Sequence, residues 1–133
     1  MNPEKRMSKR VLIVDDEPNI VLSVEFLMQR EGHEVITARD GQEAIELLGG
    51  PRPDLMILDV MMPRKNGFEV CEEVRADPAL SGMPILMLTA KGREAEMKKG
   101  ISLGADAYIT KPFSTHDLVA KVDELLSRAR AGA

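Results

Sequence analysis

The sequence predicts an α/β fold, a single parallel sheet of five strands with helices on both faces. Five short apolar runs recur along the chain: VLIV (11–14), EVITA (34–38), LMILD (55–59), PILMLT (84–89) and AYITK (107–111). Most are near-continuously apolar rather than alternating, as befits strands buried on both faces. The stretches between them carry helical periodicity. Strands that alternate with helices imply parallel strands joined by crossovers.

Each element follows in turn. After the first strand, Pro18 suits the opening turn of a helix, where its missing N–H would have no partner anyway. Ile20, Val24, Leu27 and Met28 then keep to one helical face, and Gly32 sits where a helix-ending glycine belongs. Beyond the second strand, Asp40 caps a helix that turns Ala44, Ile45 and Leu48 inward, until GGPRP (49–53) stops it. The third helix runs from about Asn66 to Ala76 and ends at Asp77-Pro78. The fourth, about Arg93 to Leu103, has only Met97, Ile101 and Leu103 as large apolar residues and is the least anchored. The last opens at Ser114-Thr115 and buries Leu118, Val122, Leu125 and Leu126.

The 133 residues fit one domain, with no internal repeat or long linker to divide them. Residues 1–8 read as an N-terminal extension, 9–128 as the domain, and 129–133 as a tail or the start of a linker. No apolar run approaches the ~20 residues that span a bilayer, and the polar opening is no signal peptide. One cysteine forbids an internal disulfide framework and suits the cytoplasm. Residues 1–90 carry 10 Lys and Arg against 16 Asp and Glu, which argues against a nucleic-acid ligand. Membrane association is likewise not expected.

Function is expected where the strands end. Ligands of open parallel α/β sheets sit outside the carboxyl ends of the strands. The first strand ends in Asp15, Asp16 and Glu17, the third in Asp59, the fourth in Thr89 and the fifth in Lys111. Asp59 closes an apolar run, and a buried carboxylate must be paired or neutralised. If Asp15, Asp16 and Asp59 share a cleft, a proton or a divalent cation has to settle their repulsion. Oxygen donors without nearby His or Cys select a hard cation, and Mg²⁺ leaves coordination positions open for phosphate oxygens. Lys111 and Thr89 add a cation and a hydroxyl for a phosphoryl group, and a carboxylate can serve as its acceptor. Taken singly, the acids could merely cap a helix, Lys111 could be a solvated lysine and Thr89 an ordinary strand residue. Their joint placement favours a site.

With these residues in order, the chain resembles the receiver domain of bacterial two-component response regulators. VLIVDDEPN, DLMILDVMMPRKNG, MLTA and GADAYITKPF carry the resemblance, from about Lys9 to Arg128. It implies a flavodoxin-like (βα)5 sandwich with strand order 2-1-3-4-5. Asp59 would be the phosphoacceptor, phosphorylated by a sensor histidine kinase or a histidine phosphotransfer protein. Mg²⁺, or alternatively Mn²⁺, would be held by Asp16, Asp59 and the Met61 backbone carbonyl, with Asp15 acting through a water. Lys111 would bridge phosphoryl oxygens, the Lys111–Pro112 bond would be cis, and Thr89 and Tyr108 would form the switch. The signal would leave through the fourth helix, fifth strand and fifth helix, toward a separate output protein or a C-terminal effector domain. The resemblance implies a monomer or a weak phosphorylation-dependent dimer that is not a turnover enzyme. Lys91 and Arg64-Lys65-Asn66 fall where the pattern varies, the latter making its loop more positive.

The rival reading is a metal-dependent aspartyl-phosphate phosphatase or phosphotransferase. Haloacid-dehalogenase-like enzymes want a second acid two residues after the nucleophile, where this chain has Met61, and they carry a cap domain. A flavodoxin-like cofactor binder wants Ser, Thr and Gly in its first loop, where this chain has DDEPN. An interaction module that is never phosphorylated would not need these acids. His33 and His116 read as solvated or locally bonded, Cys71 as a small core or helix-face residue, and Met56, Met61, Met87 and Met97 as near the core.

Overall fold

The computed structural model describes residues 8–90 and 92–131, with side chains as far as Arg128. The expectations for most of the N-terminal extension, for Lys91 and for the tail beyond Arg128 lie outside the described residues. Ten elements alternate: β1 (Arg10–Val14), α1 (Pro18–Arg30), β2 (Glu34–Ala38), α2 (Gly41–Leu47), β3 (Leu55–Asp59), α3 (Gly67–Ala76), β4 (Ile85–Ala90), α4 (Glu94–Ser102), β5 (Ala107–Lys111) and α5 (Thr115–Ala131). The sheet is parallel throughout, in the order β2-β1-β3-β4-β5.

β4 sits one residue later than the apolar run suggested. Pro84 has no N–H to give the ladder and contributes only its carbonyl, to Met56 N–H, whereas Ala90 pairs with Lys111.

Strand alternation sorts the core into two sides. Leu12, Val14, Met56, Leu58, Ile85 and Met87 pack with Val70, Cys71 and Val74 of α3. Val11, Ile13, Leu55, Ile57, Leu86 and Leu88 pack with Val24 and Met28 of α1 and with Leu118, Val122 and Leu125 of α5. Every residue named in these two sets is at most 1% exposed, so each contributes on the order of 1–3 kcal/mol to folding. The same alternation gives Asp15, Asp59 and Lys111 the α1–α5 side at the carboxyl edge, and gives Thr89 and Tyr108 the other side.

Helix starts follow local chemistry. Asp40 caps α2 by accepting the Glu43 N–H at 2.8 Å. Asn66 and Glu69 close a reciprocal capping box on α3, at 3.0 and 2.9 Å. α4 has no side-chain cap, and Gly100 is its one buried residue. Cys71 is buried, with its thiol 3.5 Å from the Leu103 carbonyl.

His33 departs from expectation. It is buried, and its Nδ1 accepts the backbone N–H of Lys9, far away in sequence. The turn that ends α1 folds the ring under the start of β1, a tertiary contact that periodicity does not report. No helix among the described residues is long and apolar enough to cross a membrane.

Candidate functional site

The carboxyl ends of β1, β3 and β5 bring Asp15, Asp16, Asp59 and Lys111 together. One carboxylate oxygen from each of the three aspartates lies within 4.8 Å of the others. Lys111 reaches over them: its Nζ is 3.0 Å from Asp15 Oδ2 and 3.3 Å from Asp59 Oδ1. It also donates a hydrogen bond to Glu17 Oε1 at 3.0 Å. The Lys111–Pro112 bond is cis.

The backbone fixes these positions. The Glu17 N–H donates to Asp15 Oδ1 at 2.9 Å, turning the chain sharply after β1. Gly67 N–H closes the loop after β3 by donating to the Val60 carbonyl at 2.9 Å. Gly67 also packs directly on the Asp59 carbonyl, so any side chain there would collide with the backbone.

Burial sets the electrostatics. Asp15 is fully buried and Asp59 is 5% exposed, while Asp16 faces solvent. Burial, followed by the charge of Asp15, pushes the Asp59 carboxyl up to about 7, against the pull of Lys111. Burial also raises Asp15, and the Glu17 N–H and Lys111 oppose it. For Lys111, burial disfavours the charge, but hydrogen bonds to Glu17 and Asp15 and the charge of Asp59 outweigh it and hold the ammonium above the usual lysine range. Three acids thus meet one cation, with a fourth, Asp16, beside them. A surplus of oxygen donors around a partly open pocket suits a hard divalent cation, which prefers oxygen ligands and tolerates open positions.

The other expected residues lie outside this ion cluster. Thr89 is 1% exposed, and its hydroxyl makes no hydrogen bond. A buried, unpaired hydroxyl is costly and has every reason to accept a new partner. Tyr108 is 42% exposed and lines an open groove of about 420 Å³ with Glu94, Met97, Lys98 and Ile101 of α4. Met61 is 62% exposed, not near the core, because the chain has left the sheet by that point.

Both cations of the loop after β3 have acidic partners on neighbouring elements. Arg64 pairs with Asp40 at 3.4 Å, and Lys65 pairs with Glu73. Glu17 was read from sequence as one of the acids ending the first strand, without a role of its own, and its contact with Lys111 had no local signal.

Three comparisons place this geometry among known proteins. The response regulator receiver domain family matches residues 11–123. The alkaline phosphatase synthesis transcriptional regulatory protein PhoP of Bacillus subtilis is 45% identical over 127 residues, which cover 96% of this chain and 52% of PhoP. The chain therefore spans about half the length of that curated relative. A chemotaxis response regulator of Vibrio cholerae superposes with a TM-score of 0.84 at 35% identity, covering 90% of this chain and 99% of the other. NtrX of Brucella abortus superposes at 0.89 and 27% identity, covering 95% of this chain but only 28% of NtrX. The family model spans most of the chain and the solved relatives share its fold, and the chain belongs to the response regulator receiver domain family.

Proposed function

We propose that Asp59 accepts a phosphoryl group from a phosphohistidine of a sensor kinase or histidine phosphotransfer protein. The observation that carries this reading is the Lys111 ammonium 3.3 Å from Asp59 Oδ1, in a pocket with a surplus of carboxylates. An Asp59 oxygen attacks phosphorus as the P–N bond breaks. The imidazole nitrogen leaves with the bonding electrons and takes up a proton from water.

Asp16, Asp59 and the Met61 carbonyl would hold Mg²⁺ directly, and Asp15 would hold it through water. Mg²⁺ supplies neutralisation of charge on the transferring group, which is where phosphoryl-transfer catalysis mostly lies. Lys111 neutralises a further phosphoryl oxygen from the β5 side. Asp59 must be ionised to attack, and a cation beside it lowers its proton affinity from the value near 7 of the metal-free site.

The new phosphoryl oxygens offer Thr89 the hydrogen bond that its buried hydroxyl lacks. Movement of Thr89 frees space on its side of the sheet, where Tyr108 lies outward against α4. The groove between α4 and β5 then changes shape, so the α4-β5-α5 surface carries the output. PhoP, about twice this chain's length, is a transcriptional regulatory protein. An effector domain or a separate output protein plays the matching role here, in the cytoplasm. The domain assists its own phosphorylation and dephosphorylation rather than turning over an external substrate.

Acetyl phosphate with Mg²⁺, followed by intact-mass measurement, tests the proposal. One acid-labile phosphoryl group per chain is expected, with none on Asp59→Asn. Release of phosphate over many turnovers without that adduct would point to a phosphatase instead.

A further inference from the structure

Glu17 occupies the N-cap position of α1, where an acidic side chain ordinarily accepts the free N–H groups of the first turn. It makes no such bond. Its carboxylate instead crosses to β5 and accepts a hydrogen bond from Lys111 at 3.0 Å, a contact spanning 94 positions in sequence. Asp15 Oδ2 lies equally near the ammonium, at 3.0 Å, and Asp59 Oδ1 at 3.3 Å. Glu17 is thus the one exposed carboxylate on the lysine that the site depends on, and it stands outside the aspartate cluster.

We infer that Glu17 is a positioning residue, holding the Lys111 ammonium over Asp59 while the other two carboxylates serve the cation and the phosphoryl group. This inference rests on the proposed phosphotransfer and goes beyond it. An ammonium has three N–H donors, and the resting site supplies three carboxylates for them: Asp15, Glu17 and Asp59. Phosphorylation would turn the Asp59 acceptor into an acyl phosphate, and a bound cation would engage Asp15 through water. Glu17 alone among the three has no other assignment.

A lysine on a four-carbon stem loses considerable rotamer freedom when it is fixed. The Glu17 contact imposes that order before the phosphodonor arrives. The Glu17 carboxylate is 60% exposed, so shortening it leaves no cavity and does not threaten folding.

The test uses two readouts on the whole chain. In the metal-free protein, an amine-reactive ester labels lysines, and peptide mass spectrometry reads Lys111, whose side chain is only 17% exposed. Glu17→Ala should raise Lys111 labelling several-fold, while Glu17→Gln, which keeps an oxygen acceptor, should raise it less. With acetyl phosphate and Mg²⁺, Glu17→Ala should slow formation of the Asp59 adduct by roughly fivefold to tenfold, the scale of one solvent-exposed hydrogen bond. In a Lys111→Met background the same change should do nothing further. Unaltered Lys111 labelling, or an equal loss with and without the lysine, overturns the inference. If the wild-type chain takes up no phosphoryl group at all, the proposed function fails instead, and the labelling result still decides whether Glu17 positions Lys111.

Discussion

The two edges of the sheet each gather a long cation and aspartate, and they resolve the charges in opposite ways. At the amino edge, Arg75 of α3 donates to the carbonyls of Gly104, Ser81 and Met83 at 2.7–2.8 Å and to Asp106 Oδ2 at 2.8 Å. The same Asp106 oxygen accepts the Ile85 N–H at 2.8 Å. The guanidinium fork is filled by fixed acceptors, which ties α3 to the starts of β4 and β5. At the carboxyl edge, one ammonium faces Asp15, Glu17 and Asp59, with Asp16 beside them. The first edge is satisfied by the protein alone. The second keeps surplus negative charge that only a proton or an added cation can balance. A closed network holds structure together, whereas an unbalanced one marks where chemistry is left to a ligand.

The largest effect should come from relieving the unbalanced edge. In the folded chain the Asp59 carboxyl titrates near 7, against about 3.9 when unfolded. Between those values the folded protein keeps a proton that the unfolded chain has released, so stability falls as pH rises and the full cost is present above pH 7. Asp59→Asn should therefore stabilise the metal-free protein, by up to about 4 kcal/mol at pH 8, with the gain fading toward pH 4. Urea unfolding in a chelator at pH 8 and pH 4.5 reads this directly, and a loss of stability at pH 8 would break the comparison.

Opening the satisfied edge should do the reverse. Arg75→Ala strands three carbonyls and Asp106 and should cost about 2–4 kcal/mol, with little change in its effect between pH 6 and pH 8. Gly104 has φ +112°, and a β-carbon there would lie 2.8 Å from Arg75 Cγ. Gly104→Ala should accordingly lose about 1–3 kcal/mol, partly through backbone strain. The same unfolding experiment checks both variants.

The smallest effect should be at Arg64, a non-glycine residue at φ +67° that pairs with Asp40 at 3.4 Å. Glycine relieves the strain but removes an exposed ion pair, so Arg64→Gly should stay within about 1 kcal/mol of wild type. A larger loss would mean that this loop is held by more than its backbone.

The sequence exposed the architecture because most strands here bury both faces. Continuous runs such as LMILD leave a single polar residue at the end, and the fold brings that residue into the carboxylate cluster. The convergence of the aspartates and Lys111 was legible for the same reason, since charges that end several apolar strands share one edge of a parallel sheet. Partnerships between distant side chains were not legible. Nothing local says that Glu17 turns from its own helix to β5, that Arg75 threads the turn before β5, or that His33 folds beneath Lys9. Periodicity reports which face a residue takes but not which polar group meets it there. Met61 illustrates the same limit, because an apolar residue after the last paired position is free to point outward.

A Mg²⁺ titration by calorimetry tests most directly whether the carboxyl edge is a cation site built across β1 and β3. One ion per chain should bind at pH 8, raise the urea midpoint of the wild type by mass action, and lose most of its affinity in both Asp16→Asn and Asp59→Asn. Wild-type protein that binds no Mg²⁺, or binds it equally well without either aspartate, would contradict the account.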